Sequence, residues 1–317
     1  MKGRLLKILH IEITTHCNLR CRHCRINAAD YVAEHMPMSV FYRLLPAMEA
    51  FRPHVILNGH GEPLVHPHWT DVFRETMLRA AGVEFQTNAQ LLAPALIDTM
   101  LSFSGRWDRL KISIEGTDAE SYEANRVGAK WDRLRENMAY LSAQPDRPPL
   151  TVEFVAMRGN VHRIPAAARL LVEWGGDVLQ ISDLNPWLIK PEMRHLDGER
   201  IVDRSVLIPE LTAARRICEA HGAHLEVSTE TAEAIGWHVP RPAEAPDVYC
   251  MVPLEVAFVT PQGDVQPCCR LREPVGNVLS ADLESVWRGA AFSAFRESMH
   301  TGRVCAGCRS CNTRRLY

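Results

Sequence analysis

The feature that most constrains this chain is a loop of eight residues carrying Cys17, Cys21 and Cys24 at a CxxxCxxC spacing. It follows directly on the apolar, β-rich run Ile8–Thr14. Three thiolates can hold three irons of a cubic [4Fe–4S] cluster, whose usual complement is four protein ligands. The fourth iron would stay open, as a catalytic metal site keeps a position free for its substrate. The loop therefore reads as the centre of a redox enzyme, with zinc as the competing metal.

The other cysteines are not scattered. The chain has 317 residues and ten cysteines, of which six lie between Cys250 and Cys311, with Cys218 alone in the middle. The N-terminus, Met1-Lys-Gly-Arg-Leu-Leu-Lys, does not read as an export signal. Clustered cysteines without one favour metal binding over a disulfide framework. A formal net charge of −2 gives no reason to expect nucleic acid or a membrane surface as partner. No stretch approaches the roughly 18 apolar residues of a membrane span. We expect a cytoplasmic protein.

Strands and helices alternate along the chain. Ile8–Thr14, His54–Leu57, Val83–Gln86, Arg109–Ile114, Leu150–Met157 and Asp177–Ile181 read as strands. Ser39–Phe51, with Ser39 as N-cap, Trp69–Ala81, Leu91–Leu101, Trp131–Leu141 and Ile164–Trp174 read as the helices between them, and Leu207–His221 as a further helix. This is the pattern of a parallel α/β sheet or barrel. Chemistry in such folds sits beyond the C-terminal ends of the strands. Those ends carry the cysteine loop, Gly59–Glu62, Thr87-Asn88 and Ser113–Glu115. Farther on, Leu254–Val259 and Asp264–Gln266 flank a turn and predict a hairpin.

These residues resemble the radical S-adenosylmethionine (SAM) enzymes. CxxxCxxC is that family's cluster motif. His60-Gly61-Glu62-Pro63 is similar to its GGEP motif, with His at the first Gly, and Ile112–Gly116 to its SxD/E-G segment. Cys250, Gly263-x4-Cys268 and Cys305-Ala306-Gly307-Cys308 resemble the SPASM/Twitch extension, which holds auxiliary iron–sulfur clusters. The implied fold is α/β, a partial (β/α)6 TIM-like barrel with a small C-terminal Twitch/SPASM-type cluster domain. The expected boundaries are 1–228 for the barrel, 229–249 for a linker or active-site cover and 250–317 for the cluster domain.

The resemblance implies three cofactors: a SAM-binding [4Fe–4S] cluster, one auxiliary [4Fe–4S] cluster and SAM. Reductive cleavage of SAM would give a 5′-deoxyadenosyl radical that abstracts a substrate hydrogen atom. Cys17, Cys21 and Cys24 should ligate the first cluster. His23 takes the position, usually aromatic, that leans on the adenine. Gly59, His60, Gly61 and Glu62 should bind the methionine amino group. Asn88 should face SAM, or else cap the helix after it. Ser113 and Glu115 resemble the pair that contacts ribose or carboxylate, and Arg126 matches an arginine that pairs with the SAM carboxylate. Six distal cysteines exceed the four that one cluster takes and fall short of the eight for two. The shorter Twitch pattern selects Cys250, Cys268, Cys305 and Cys308. Cys269 and Cys311 are left over, and Cys311 is an alternative to Cys305 or Cys308.

An auxiliary cluster can store an electron, which suits a net oxidation. The first strand starts at Ile8, so we expect no N-terminal peptide-recognition domain. Both tilt the reading toward an oxidoreductase that dehydrogenates, or an enzyme that epimerises, a small hydroxylated metabolite such as a sugar or aminocyclitol. The alternatives are a peptide-modifying member that crosslinks or epimerises a ribosomal peptide, and a non-catalytic zinc-stabilised binding protein. Implied partners are a small-molecule or peptide substrate and an electron donor such as flavodoxin or ferredoxin.

Overall fold

A computed structural model of the chain describes residues 5–103, 106–184, 196–228, 231–232, 235–237, 250–301, 303 and 305–309. Most of the expected cover at 229–249, and Cys311, lie outside the described residues. The chain forms two compact units. The first comprises Met1–His16, Glu34–Glu84 and His238–Tyr317, and the second Cys17–Ala33 and Phe85–Trp237.

In the first unit, β1 (Ile8–Ile11) pairs in parallel with β2 (His54–Leu57), with Leu9 opposite Val55. Its other edge pairs in parallel with β8 (Val256–Val259), with Leu9 opposite Ala257. The expected hairpin is present: β8 pairs antiparallel with β9 (Asp264–Gln266), which pairs antiparallel with β10 (Gly276–Asn277). Leu9, Ile11, Val55, Leu57, Ala257 and Val259 form one fully buried face. Alternation along each strand puts His10 and Ile56 on the other.

The helices of this unit differ from expectation. Ser39–Phe51 is two helices, α1 (Met38–Tyr42) and α2 (Leu45–Phe51). Pro46 lies in the first turn of α2, where a missing backbone N–H costs nothing but an uninterrupted helix would break. Pro37, not Ser39, is the N-cap of α1. Next, α3 (Trp69–Arg79) buries Trp69, Val72, Phe73 and Met77.

The chain passes to the second unit within β3 (Gly82–Thr87). There β4 (Trp107–Ser113), β5 (Leu150–Ala156), β6 (Val178–Asp183) and β7 (His224–Val227) pair in parallel in that order. Ile112, Val152, Leu179 and Leu225 share one register row. The helices α4 (Pro94–Leu101), α6 (Trp131–Ser142), α7 (Ile164–Glu173) and α8 (Ile208–Ala220) supply the apolar core around Leu134, Met138, Leu171 and Leu211. The start of α4 falls at Pro94 rather than Leu91, again because proline opens a helix but cannot continue one. One helix was not expected, α5 (Ala119–Asn125), closed by a reciprocal cap between Asp118 and Ser121.

The second face of these strands is polar. A parallel sheet covered on both faces is apolar throughout. Here Lys111, Glu153, Gln180 and Ser182 alternate with the buried residues and stay partly accessible, and Ser113 on the same face is buried. Gln86 donates to Ser113 Oγ at 3.0 Å and also to Glu153, while Ser182 donates to Glu153 at 3.1 Å. Burial raises the Glu153 carboxyl above the usual range, against the pull of Lys111.

Candidate active site

The cysteine loop is fixed by its backbone. The N–H groups of Arg20 and Arg22 donate to the carbonyls of Val127 and Asn125, both at 2.9 Å. Cys24 N–H donates to the Cys21 carbonyl at 3.0 Å, and Asn27 Nδ2 donates to the same oxygen at 2.7 Å. Leu19, 1% exposed, pins the middle of the loop to the core. Cys21 is buried, and Cys17 and Cys24 are half-buried. Burial pushes the Cys21 thiol up to about 12, and Arg126 pulls the other way. Burial likewise pushes Cys24 up to about 11. Such thiols become thiolates only when a metal supplies the positive charge.

A second group of polar residues surrounds Cys21. Glu115 Oε2 lies 2.6 Å from Arg126 Nε and 3.7 Å from His23 Nε2. Glu115 and Arg126 have side-chain exposures of 1% and 6%. Arg126 reaches Cys21 Sγ at 3.9 Å. Burial works against the guanidinium charge, but Glu115 and Cys21 more than offset it and raise its pKa. Burial lowers the pKa of His23, with Glu115 opposing. Both residues that bracket α5 thus meet here, Glu115 just before it and Arg126 at its C-cap. The Glu115 carbonyl is held by Asn125 and Asn160, at 3.0 and 3.3 Å.

Asn88 follows β3. Its Oδ1 accepts from Gln90 N–H at 3.0 Å, and its Nδ2 donates to Asn18 Oδ1 at 2.8 Å and lies 3.9 Å from Cys17 Sγ. Because α4 begins at Pro94, Asn88 does not cap it. Thus Cys17, Cys21, Cys24, His23, Asn88, Glu115 and Arg126 are brought together within the second unit. Ser113 instead joins the polar strand face through Gln86.

These residues fit a charged cofactor. Three thiols share one loop beside a buried arginine. Among the described residues, His23 Nδ1 is buried without a hydrogen bond, and Glu115 Oε2 and Arg126 Nε have chiefly each other, at 2.6 Å. Buried polar atoms are seldom left so, and a ligand with donors and acceptors would complete them. No three His, Cys, Asp or Glu groups among the described residues are placed to hold a single metal ion. A cluster, which takes one thiolate per iron, does not require that.

Gly59–Glu62 lies in the first unit, after β2. Gly61 packs on the chain beyond β1: a Cβ there would lie 2.4 Å from the His16 carbonyl and 2.5 Å from that of Thr14. Only glycine permits this approach. Glu62 N–H donates to the same His16 carbonyl at 2.8 Å. The Glu62 side chain accepts from Leu64 N–H at 3.2 Å and so caps the turn that follows. His60 bonds to Glu12, a residue that sequence reasoning passed over. The available signal was a lone carboxylate inside an apolar strand.

The distal thiols Cys250, Cys268, Cys305 and Cys308 also belong to the first unit. The Cys305 thiol donates to Cys308 Sγ at 3.6 Å. Burial raises Cys308, and Cys305, Cys268 and Cys250 add to the rise. Burial pushes Cys268 up to about 12, with Cys269 and Cys250 adding. At Cys308 and at Cys268, neighbouring thiols thus add to the effect of burial. Cys269 is exposed.

A family model, the radical SAM superfamily, matches residues 11–181, and a second, an iron–sulfur cluster-binding domain named SPASM, matches 250–312. The chain therefore belongs to the radical SAM superfamily and carries a SPASM domain. Its fold is the α/β partial barrel of that family, and its cofactors are a SAM-binding [4Fe–4S] cluster, an auxiliary cluster and SAM.

Among proteins of known role, the chain is 23% identical over 313 residues to a tungsten-containing aldehyde ferredoxin oxidoreductase cofactor-modifying protein of Pyrococcus furiosus, covering 92% of this chain and 83% of that one. It is 25% identical over 322 residues to the PqqA peptide cyclase of Methylorubrum populi, covering 96% and 77%. Streptococcus suis SuiB bound to its precursor peptide SuiA shares the fold at TM-score 0.74 and 15% identity, over 98% of this chain and 71% of that one. No helix among the described residues is long and apolar enough to cross a membrane.

Proposed function

We propose that this radical SAM enzyme modifies a peptide, forming a crosslink or inverting a residue. The observation that carries the reading is the similarity to a peptide cyclase across nearly the whole chain. When bound, SAM and the reduced cluster supply a 5′-deoxyadenosyl radical that takes a hydrogen atom from substrate.

The chain's own residues bind and orient. Cys17, Cys21 and Cys24 hold the cluster, and His23 leans on the adenine. Gly59, His60, Gly61 and Glu62 hold the methionine amino group. Asn88 and Glu115 would contact the rest of SAM, and Arg126 would face its carboxylate. Cys250, Cys268, Cys305 and Cys308 hold the auxiliary cluster, and a flavodoxin or ferredoxin supplies the electron.

A second reading, dehydrogenation or epimerisation of a small hydroxylated metabolite, is favoured by the polar strand face of Lys111, Ser113, Glu153 and Ser182, which suits a hydroxyl-rich ligand.

Replacing Cys17, Cys21 and Cys24 by Ala should abolish 5′-deoxyadenosine formation by the anaerobically reconstituted protein. Retained formation would refute the cluster assignment. With a substrate peptide deuterated at the reacting carbon, deuterium should appear in 5′-deoxyadenosine. Transfer from a deuterated polyol instead, with ketone formation, would select the second reading.

A further inference from the structure

Within the second unit, Gln90 has no role assigned above, yet it is 4% exposed and joins the two supports of the cysteine loop. Its side chain pairs with the backbone of Lys130 in both directions. Oε1 accepts from the Lys130 N–H at 2.8 Å, and Nε2 donates to the Lys130 carbonyl at 3.1 Å. Nε2 also donates to Tyr122 Oη at 3.3 Å, and that hydroxyl donates to the Asn88 carbonyl at 3.5 Å. The Gln90 backbone N–H donates to Asn88 Oδ1 at 3.0 Å. One residue thus grips both Asn88 and the segment that ends at Lys130. The carbonyls of Asn125 and Val127 in that segment are the ones that hold the cysteine loop.

The turn that presents Asn88 is strained. Ala89, fully buried, has φ 59°, in the left-handed region that a residue with a Cβ disfavours. Such a conformation persists where the surroundings over-determine it, and it clusters at functional sites. Here Asn137 Nδ2 donates to the Ala89 carbonyl at 2.7 Å, and the Ala89 N–H donates to Thr87 Oγ1 at 3.0 Å. With Oδ1 engaged by Gln90, the Asn88 amide is fixed in one orientation. Its Nδ2 faces Asn18 Oδ1 at 2.8 Å and Cys17 Sγ at 3.9 Å. The Leu19 N–H approaches the same sulfur at 3.4 Å.

We propose that Gln90 is a positioning residue, which aims the Asn88 amide at Cys17 and thereby raises the reduction potential of the SAM-binding cluster. This rests on the assignment of Cys17, Cys21 and Cys24 to that cluster. A reduced cluster carries one more negative charge than an oxidised one. An N–H dipole directed at a ligand sulfur favours that charge, and hydrogen bonds to sulfur are among the factors that set cluster potentials. The amide so held eases reduction of the cluster by its electron donor.

The test is a potentiometric titration of the anaerobically reconstituted holoenzyme. The SAM-binding cluster is followed through the part of the reduced-state EPR signal that changes when SAM is added. Gln90→Met keeps the side-chain length but makes none of the three side-chain hydrogen bonds. With its iron retained, it should lower that cluster's midpoint by about 30–60 mV, a threefold to tenfold shift in the one-electron equilibrium. The auxiliary cluster's midpoint should stay where it is. An unmoved or raised midpoint, or an equal fall at both clusters, overturns the proposal, since a merely structural glutamine would cost stability or iron and not potential. Should Gln90→Met lose its iron, Tyr122→Phe decides. That variant keeps the ring and removes only the hydroxyl between Gln90 and the Asn88 carbonyl. It should shift the same equilibrium by about twofold in the same direction, and no shift overturns the proposal. Wild type in which no cluster responds to SAM overturns the ligand assignment itself, and with it this inference.

Discussion

The two cysteine groups are built on opposite plans. Cys17, Cys21 and Cys24 come from one eight-residue loop whose backbone is bonded at Arg20, Arg22 and Cys24. Beside them sit a buried arginine and carboxylate paired with each other, and His23 with its Nδ1 lacking a hydrogen bond. The distal thiols come from three separate stretches, at Cys250, at Cys268 and at Cys305 with Cys308. Burial acts first on Cys308, and the neighbours that add to it are other thiols, Cys305, Cys268 and Cys250. The first group is preorganised for a cofactor that must accept a further ligand. The second depends on its metal to hold chain segments together, as metal binding is folding free energy where no preformed site exists.

The sharpest break of that comparison removes the second group. Replacing Cys305 and Cys308 by Ala should lower iron from about eight to about four per chain, since each cubane holds four. SAM cleavage should persist, uncoupled, while product is lost. Product formed at the wild-type rate would show that the auxiliary cluster is dispensable.

The next prediction concerns the charge beside the first group. Arg126→Met leaves Glu115 buried and unpaired, which should cost about 3–5 kcal/mol. Adding Glu115→Gln removes the stranded charge and should recover much of the loss. Urea midpoints of the single and double variants measure the coupling. A double variant no more stable than Arg126→Met would mean that the pair is not an energetic unit.

What could be read in the sequence follows the same division. Thiol spacing within one loop is local, and so is Gly61-Glu62-Pro63. The strand–helix alternation from β1 to β6 is also local, because hydrophobic period changes along the chain itself. The partners of those residues are not local. Glu12 meets His60 only through the β1–β2 register, 48 residues apart. Glu115 and Arg126 were each singled out, but their pairing depends on α5, whose cap at Asp118 and Ser121 went unread. The polar face of Lys111, Glu153 and Ser182 was hidden for another reason. Polar residues at every second position of a strand read as ordinary amphipathic alternation. Short β7, with no fully buried residue, carries too little pattern to stand out.

The smallest effect lies at α5, which links Glu115 to Arg126. Asp118 accepts from Ser121 N–H at 2.8 Å and pairs with Arg163. That backbone bond, with Arg163 adding, holds its carboxyl below the usual carboxylate range. A depressed carboxyl stabilises the fold above its unfolded value, and the contribution is lost as pH falls through the folded value. The side chain is half exposed, so the ion pair adds little and the cap dominates. Asp118→Ala should therefore cost about 1 kcal/mol at pH 7, read as a shift in urea midpoint. The gap to wild type should narrow below about pH 4, where the carboxyl takes up its proton. A gap that stays constant with pH would place the whole effect in helix propensity. A gap at pH 7 with unchanged 5′-deoxyadenosine formation would mean that α5 can soften without releasing Glu115 and Arg126 from Cys21.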